Sequence, residues 1–193
     1  MSLEQIKKIR EMTGAGMVEV KKALDEAQGN EEKAVEILRK SGQAKALKKT
    51  DREAKEGVLG SYIHSNNKIG AIVKIFCETD FVARNEEFQE LAKDIAMHIS
   101  AMSPIYLKPE EVDNKILEKE REIWTEQMKN ENKPKEIMDK IMEGKEKKFK
   151  EEISLLTQPF VKNPDVTIEE LITEKIGKIG ENIQIGEFKR FEL

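Results

Sequence analysis

The run Ile69-Gly70-Ala71-Ile72-Val73-Lys74-Ile75-Phe76-Cys77-Glu78-Thr79-Asp80-Phe81-Val82-Ala83-Arg84-Asn85 leads from one structural period into another. Ile69, Ala71, Val73, Ile75 and Cys77 take every second position, the pattern of a strand with one buried face. Past Asn85, Phe88, Leu91, Ile95 and Ile99 recur at three and four residues, the pattern of a helix with one buried stripe. Residues at such a junction can present side chains outward. Read from local chemistry alone, Thr79, Asp80 or Asn85 caps the helix through an oxygen that accepts an orphan backbone N–H, and Phe81 packs inward. Glu86 and Glu87 suit the positive end of the helix dipole, and the helix is expected to stop before Pro104.

Working outward, Val58 and Tyr62 mark a first strand, and Ser65-Asn66-Asn67-Lys68 supplies the turn of a hairpin. Gly57, Gly60 and Gly70 mark close backbone approaches or bulges. The run Asn182 to Phe191 alternates, then slips phase near Gly186, as a strand with a bulge does. Pairing it with the hairpin predicts about three antiparallel strands covered by helices, an α+β core. The cover is expected from a helix starting at Pro109-Glu110-Glu111 with Val112, Ile116, Ile123, Trp124 and Met128 on its apolar side. An interruption at Asn130 to Pro134 follows. A long stripe then runs through Ile137, Met138, Ile141, Met142, Phe149, Ile153 and Leu156, crossing Gly144. Thr167 with Glu170 forms a capping-box pattern ahead of a last short helix at Leu171 and Ile172.

The first forty residues read differently. Leu3, Ile6, Ile9 and Met12 form one helical stripe, stopped by Gly14 and Gly16. Met17, Val20, Leu24 and Ala27 form a second, stopped at Gly29-Asn30, and Ala34, Val35 and Leu38 a third, stopped near Ser41-Gly42. The expected organisation is therefore a three-helix domain over 1–42, a linker over 43–56 and a core over 57–193. The linker carries Lys45, Lys48, Lys49, Arg52 and Lys55 against Asp51, Glu53 and Glu56, which reads as a solvated segment.

Composition narrows the function. The chain of 193 residues is 37% charged and only 5% aromatic, the mixture of a helix-rich protein with long solvated faces. Its 34 basic and 38 acidic residues leave a net charge of −4, so no overall basic field would hold a phosphate backbone, and nucleic acid is not the expected partner. Cys77 is the sole cysteine, which excludes an intrachain disulfide and suits a reducing cytoplasm. No stretch of 18 apolar residues exists, so no membrane span is expected. Phosphate-binding loops, Gly-x-Ser-x-Gly and Gly-x-Gly-x-x-Gly are absent, and the Gly14 and Gly16 run follows a helix rather than a strand. His64 and His98 are expected at the surface or in caps, while Cys77, Met138 and Met142 are expected in the core. No catalytic constellation, metal site or cofactor is read from the chain, and it is not expected to be an enzyme. What remains is a protein that acts by touching another protein.

The string Thr79-Asp80-Phe81-Val82-Ala83-Arg84-Asn85 resembles a signature of bacterial elongation factor Ts, the guanine-nucleotide exchange factor for the translational GTPase elongation factor Tu. Met12-Thr13-Gly14-Ala15-Gly16-Met17 resembles that family's other signature. The resemblance implies that the first bundle is like a ubiquitin-associated domain, and that the core is a sheet with helices. It further implies that Thr79, Asp80, Phe81 and Val82 enter elongation factor Tu near its nucleotide and magnesium site, with Arg84 and Asn85 supporting the loop. Arg10, Met17 and Val18 would be the contacts of the N-terminal domain, Val18 standing where some longer members carry a second methionine. Longer members have two core subdomains and an inserted coiled coil. The resemblance to short members implies a homodimer and a complex with two of each subunit, with the strand over Asn182 to Phe191 a candidate edge. The competing readings are an adaptor that binds ubiquitin-like ligands or peptides through the glycine turn, an RNA-binding protein using 43–56, and an unidentified enzyme.

Overall fold

The computed structural model describes residues 2–128 and 134–193. In chain order they form α1 (Leu3–Thr13), α2 (Met17–Glu26), α3 (Glu31–Leu47), β1 (Glu56–Ile63), β2 (Ile69–Cys77), α4 (Asp80–Ala83), α5 (Glu86–Met102), α6 (Asn114–Met128), α7 (Lys135–Glu152), β3 (Pro159–Phe160), β4 (Asn163–Thr167), α8 (Ile168–Ile179) and β5 (Gln184–Glu192). The main sheet has three antiparallel strands in the order β1-β2-β5, so β5 lies at an edge. The architecture is α+β, N-terminal helices followed by a small sheet with helices.

The described residues gather in two compact units, one from 1–59, 74–90 and 170–186, the other from 60–73, 91–169 and 187–193. In the first, α1, α2 and α3 enclose Ile6, Ile9, Val20, Ala23, Leu24 and Leu38. Each of the larger of these side chains contributes roughly 1.5–3 kcal/mol by leaving water, offset by the entropy of ordering the chain. Caps set the helix ends. Ser2 and Gln5 form a reciprocal capping box at α1, and the Asn30 side chain accepts the Lys33 N–H at α3. Two expectations fail here. Leu3 and Met12 are exposed, because the stripe on α1 is wider than the face that α2 and α3 cover. The third helix does not stop at Ser41-Gly42 but runs to Leu47: Gly42 has open space around it, and Ala44 and Ala46 favour helix beyond it.

In the second unit the hairpin turn closes with His64 N–H on Ile69 O and Asn67 N–H on His64 O, each 2.8 Å, with Asn67 at φ 56. Gly60 lets β1 meet α5: a Cβ there would lie 2.3 Å from the carbonyl oxygen of Ala92. Leu91, Ala92, Ile95, Ala96 and Ile99 on α5 are buried, as the stripe predicts. α6 and α7 meet through Trp124 and Phe149, edge to face at 5.8 Å, and through Arg121 bound to Glu146.

Several expectations need correction. Pro109 begins only a 3-10 turn, Pro109–Glu111, because Val112 is extended; α6 starts at Asn114, where the Asp113 carboxylate accepts the Lys115 N–H at 2.9 Å. Ile123 is half exposed, and Leu117 takes the buried place instead. Met138 and Met142 are only half buried, since α7 buries no residue completely. The interruption expected from Asn130 lies outside the described residues as far as Lys133; Pro134 precedes α7. The antiparallel pair β3 and β4 was not anticipated at all. His98 is fully buried rather than at the surface. Its Nδ1 accepts the Val161 N–H at 3.2 Å, which leaves Nε2–H to donate to Gln158 Oε1 at 3.0 Å. Burial holds its pKa below the ordinary value, against the raising effect of Gln158.

Candidate functional site

The residues singled out in the sequence fall in two places, both within the first unit. The first is the junction after β2. Buried Cys77 ends the strand, its thiol pushed up to about 11 by burial and by the nearby carboxylate of Glu181. Thr79 is the N-cap of α4, its hydroxyl accepting the Val82 N–H at 3.4 Å. Asp80, Phe81, Val82 and Ala83 make one helical turn. On that turn Ala83 is buried and Val82 half buried, so the phenylalanine one position earlier points away from the interior. Phe81 is 82% exposed, which overturns the inward-packed reading. Arg84 reaches back to Asp80 at 2.9 Å in an i,i+4 ion pair open to solvent on both sides. Asn85 caps α5, its Oδ1 accepting the Glu87 N–H at 2.8 Å.

An isolated exposed phenylalanine between an acid and a base offers one apolar anchor with charges beside it. That is suited to inserting into a pocket of another protein. Among the described residues no group of three or more His, Cys, Asp or Glu is placed to hold a metal ion.

The second place is the glycine turn of the bundle. Gly14 takes φ 65 and donates to Arg10 O at 2.8 Å, closing α1 in the left-handed cap that favours glycine. Thr13 accepts the Ala15 N–H through its hydroxyl, and Glu19 accepts the Gly16 N–H at 3.3 Å. Glu19 in turn is bound by Lys45, which holds its carboxyl below the usual range despite partial burial. Around this turn Arg10 is exposed, Met17 is 51% exposed and Val18 68% exposed.

Other residues join the site that periodicity could not reveal. Met12, read as core, stands exposed beside the turn. The aliphatic arm of Lys178 from α8 covers Gly14 so closely that a Cβ there would lie 2.7 Å from Lys178 Cδ. The Lys178 ammonium then meets Glu87 at 2.5 Å, and Lys175 meets the same oxygen at 2.7 Å. Partial burial pulls the Glu87 carboxyl upward, but the two ammonium groups outweigh it and leave it below its ordinary value. One lysine thus touches both the glycine turn and the helix that follows Phe81. A second pair, Glu181 and Asn182, binds the residues just ahead of Asp80. Only the Gly180-Glu181-Asn182 break after α8 hints at them in the sequence.

Comparison with known proteins identifies the chain's relatives. The sequence pattern of the family described as Elongation factor TS matches residues 4–193. The chain is 54% identical over 190 residues to Elongation factor Ts of Carboxydothermus hydrogenoformans, covering 98% of this chain and 88% of that one. It is 57% identical over 188 residues to that of Alkaliphilus metalliredigens, covering 97% and 87%. To that of Thermosipho melanesiensis it is 52% identical over 193 residues, covering 100% and 98%. With the family's pattern matched over residues 4–193 and these relatives at least 52% identical over nearly all of the chain, the chain belongs to the elongation factor Ts family of translation elongation factors.

Proposed function

We propose that this chain is a guanine-nucleotide exchange factor that binds GDP-bound elongation factor Tu and promotes release of GDP, so that GTP can bind. The observation that carries the reading is Phe81, an apolar ring 82% exposed on a loop that bears the family's signature. Asp80 and Phe81 enter the GTPase beside its magnesium and phosphate site, with Thr79 and Val82 flanking them. Magnesium bridges the phosphates to the GTPase, so an aromatic wedge that displaces those elements weakens the ion's hold and then the nucleotide's. Reciprocity supplies the thermodynamics: a partner that binds the empty GTPase more tightly than the GDP form must lower its affinity for GDP by the same factor. The chain itself makes and breaks no bond. Arg10, Met17 and Val18 give the N-terminal helices a second hold on the partner, while Arg84 and Asn85 fix the loop.

The protein works in the cytoplasm as a homodimer, each copy binding one GTPase. Among the described residues, no helix is long and apolar enough to cross a membrane. Support for the dimer comes from Ile63, Ile72, Phe191 and Leu193, exposed apolar residues that line one shallow groove at the sheet. Light scattering on the purified chain tests it, a monomer at micromolar concentration refuting it.

The exchange reading is tested by the release rate of a fluorescent GDP analogue from elongation factor Tu, with and without this chain, at several magnesium concentrations. Acceleration most marked at high magnesium is the expected result. No acceleration by the folded chain would overturn the reading.

A further inference from the structure

The end of β2 and the residues after α8 hold one another by exchanging carboxylates. Glu181 Oε2 accepts the backbone N–H of Glu78 and of Thr79, each at 3.0 Å, and its Oε1 accepts the Thr79 hydroxyl at 2.7 Å. In return Glu78 Oε1 accepts the backbone N–H of Asn182 at 2.7 Å and lies 3.5 Å from the Arg52 guanidinium. Buried Asn182 donates through Nδ2 to the carbonyls of Thr50 at 3.2 Å and Arg52 at 2.6 Å. Three charge-assisted bonds thus converge on one side chain, and two of them go to Thr79.

Thr79 is the residue from which α4 starts. That helix is four residues long, far too short to hold itself, and Phe81 has almost no core contact to fix its direction. The direction is set from the two ends: buried Ala83 anchors one, and the Glu181 carboxylate anchors the other. The Thr79 hydroxyl links them, since it donates to Glu181 and accepts from Val82.

We propose that Glu181 is a positioning residue for the exchange loop, holding Thr79 so that Phe81 stands ready and no ordering cost is met at the moment of encounter. This rests on the exchange reading above. The test uses the full chain with Glu181→Ala and Glu181→Gln, each alone and combined with Phe81→Ala. Release of a fluorescent GDP analogue from elongation factor Tu and hydrogen exchange at individual amides of the free chain are measured.

Glu181→Ala is expected to slow exchange about tenfold when Phe81 is present and less than about twofold when it is absent, because a clamp that acts through the ring has nothing to place once the ring is gone. Glu181→Gln is expected to stay within about threefold of the wild type. Its amide oxygen still accepts both N–H groups and its nitrogen can donate to the Thr79 hydroxyl. The Glu78 and Thr79 amides should exchange faster in Glu181→Ala. Should that variant not fold, Thr79→Val, which removes the hydroxyl's bonds to Glu181 and to the Val82 N–H but keeps both backbone N–H bonds to Glu181, carries the same background test with an expected loss of about threefold. Equal losses in both backgrounds, or unchanged exchange at the Glu78 and Thr79 amides, would overturn the positioning role alone. No acceleration by the wild-type chain would overturn the exchange reading, and the positioning role with it.

Discussion

Replacing Phe81 by alanine separates what the ring does for the chain from what it does for a partner. A phenylalanine side chain carries roughly 200 Å² of surface. In the free chain less than a fifth of Phe81 is covered, so its removal costs the fold below about 1 kcal/mol at 25 cal/mol per Å². For a chain of this size the melting temperature should fall by less than about 4 °C. Burying the exposed remainder in a partner's pocket contributes about 4 kcal/mol by the same coefficient. Truncated interface anchors usually cost about 2–4 kcal/mol, which is roughly a 30- to 900-fold loss in the second-order exchange constant. The control is Phe88→Ala, seven residues on, where the same truncation empties a fully buried site. It should cost about 3–5 kcal/mol of stability, a drop of at least about 6 °C. Differential scanning calorimetry of both variants, beside GDP-analogue release at matched folded concentration, makes the comparison. If Phe81→Ala melts like Phe88→Ala, or keeps exchange within about threefold of the wild type, the argument from exposure is wrong.

Other outcomes follow from particular contacts. Because burial lowers the His98 pKa, the unfolded chain binds its proton more readily than the folded one; stability from this site is complete above pH 6.5 and falls as the pH drops below it. Urea denaturation between pH 7.5 and 5 should show that slope, and His98→Gln should reduce it. Gly60→Ala should destabilise by about 1–3 kcal/mol, since its methyl would meet the Ala92 backbone, whereas Gly144→Ala on α7, with open space around it, should stabilise by about 0.5–1 kcal/mol. Thermal melts of the two variants should therefore move in opposite directions. The Cys77 thiol, buried and pushed up to about 11, should resist a disulfide reagent at pH 8 until denaturant is added. Reaction of the native chain at the rate of a free thiol would contradict its placement.

Periodicity revealed those parts of the fold that rest on one buried face. The alternation from Ile69 to Cys77 and the stripe through Phe88, Leu91, Ile95 and Ile99 became β2 and α5, and Gly14 became the cap of α1. It failed where a polar or exposed residue has a tertiary reason. His98 sits inside only because Gln158 and Val161 satisfy both ring nitrogens, and those partners lie about sixty residues away. Phe81 in turn reads as core by residue type, and stands in solvent because the neighbouring Ala83 takes the inward position. The Thr79–Asn85 loop was legible as a motif, but the Lys178, Glu181 and Asn182 contacts that surround it were not. Hydrogen bonds between side chains and distant backbone leave no period in a sequence.

The contacts on Thr79 also bear on when that residue is held in place during synthesis. Glu181 is 102 residues beyond Thr79, and Asn182 lies 130 beyond Arg52. Contacts that close so long a stretch of chain form slowly and cannot precede the arrival of their later partner. A nascent chain that has reached residue 180 already carries the whole of Thr79 to Asn85, yet lacks the carboxylate that holds its first residue. Thr79 can therefore gain its carboxylate partner only once residue 181 has left the ribosome, long after the turn that carries Phe81.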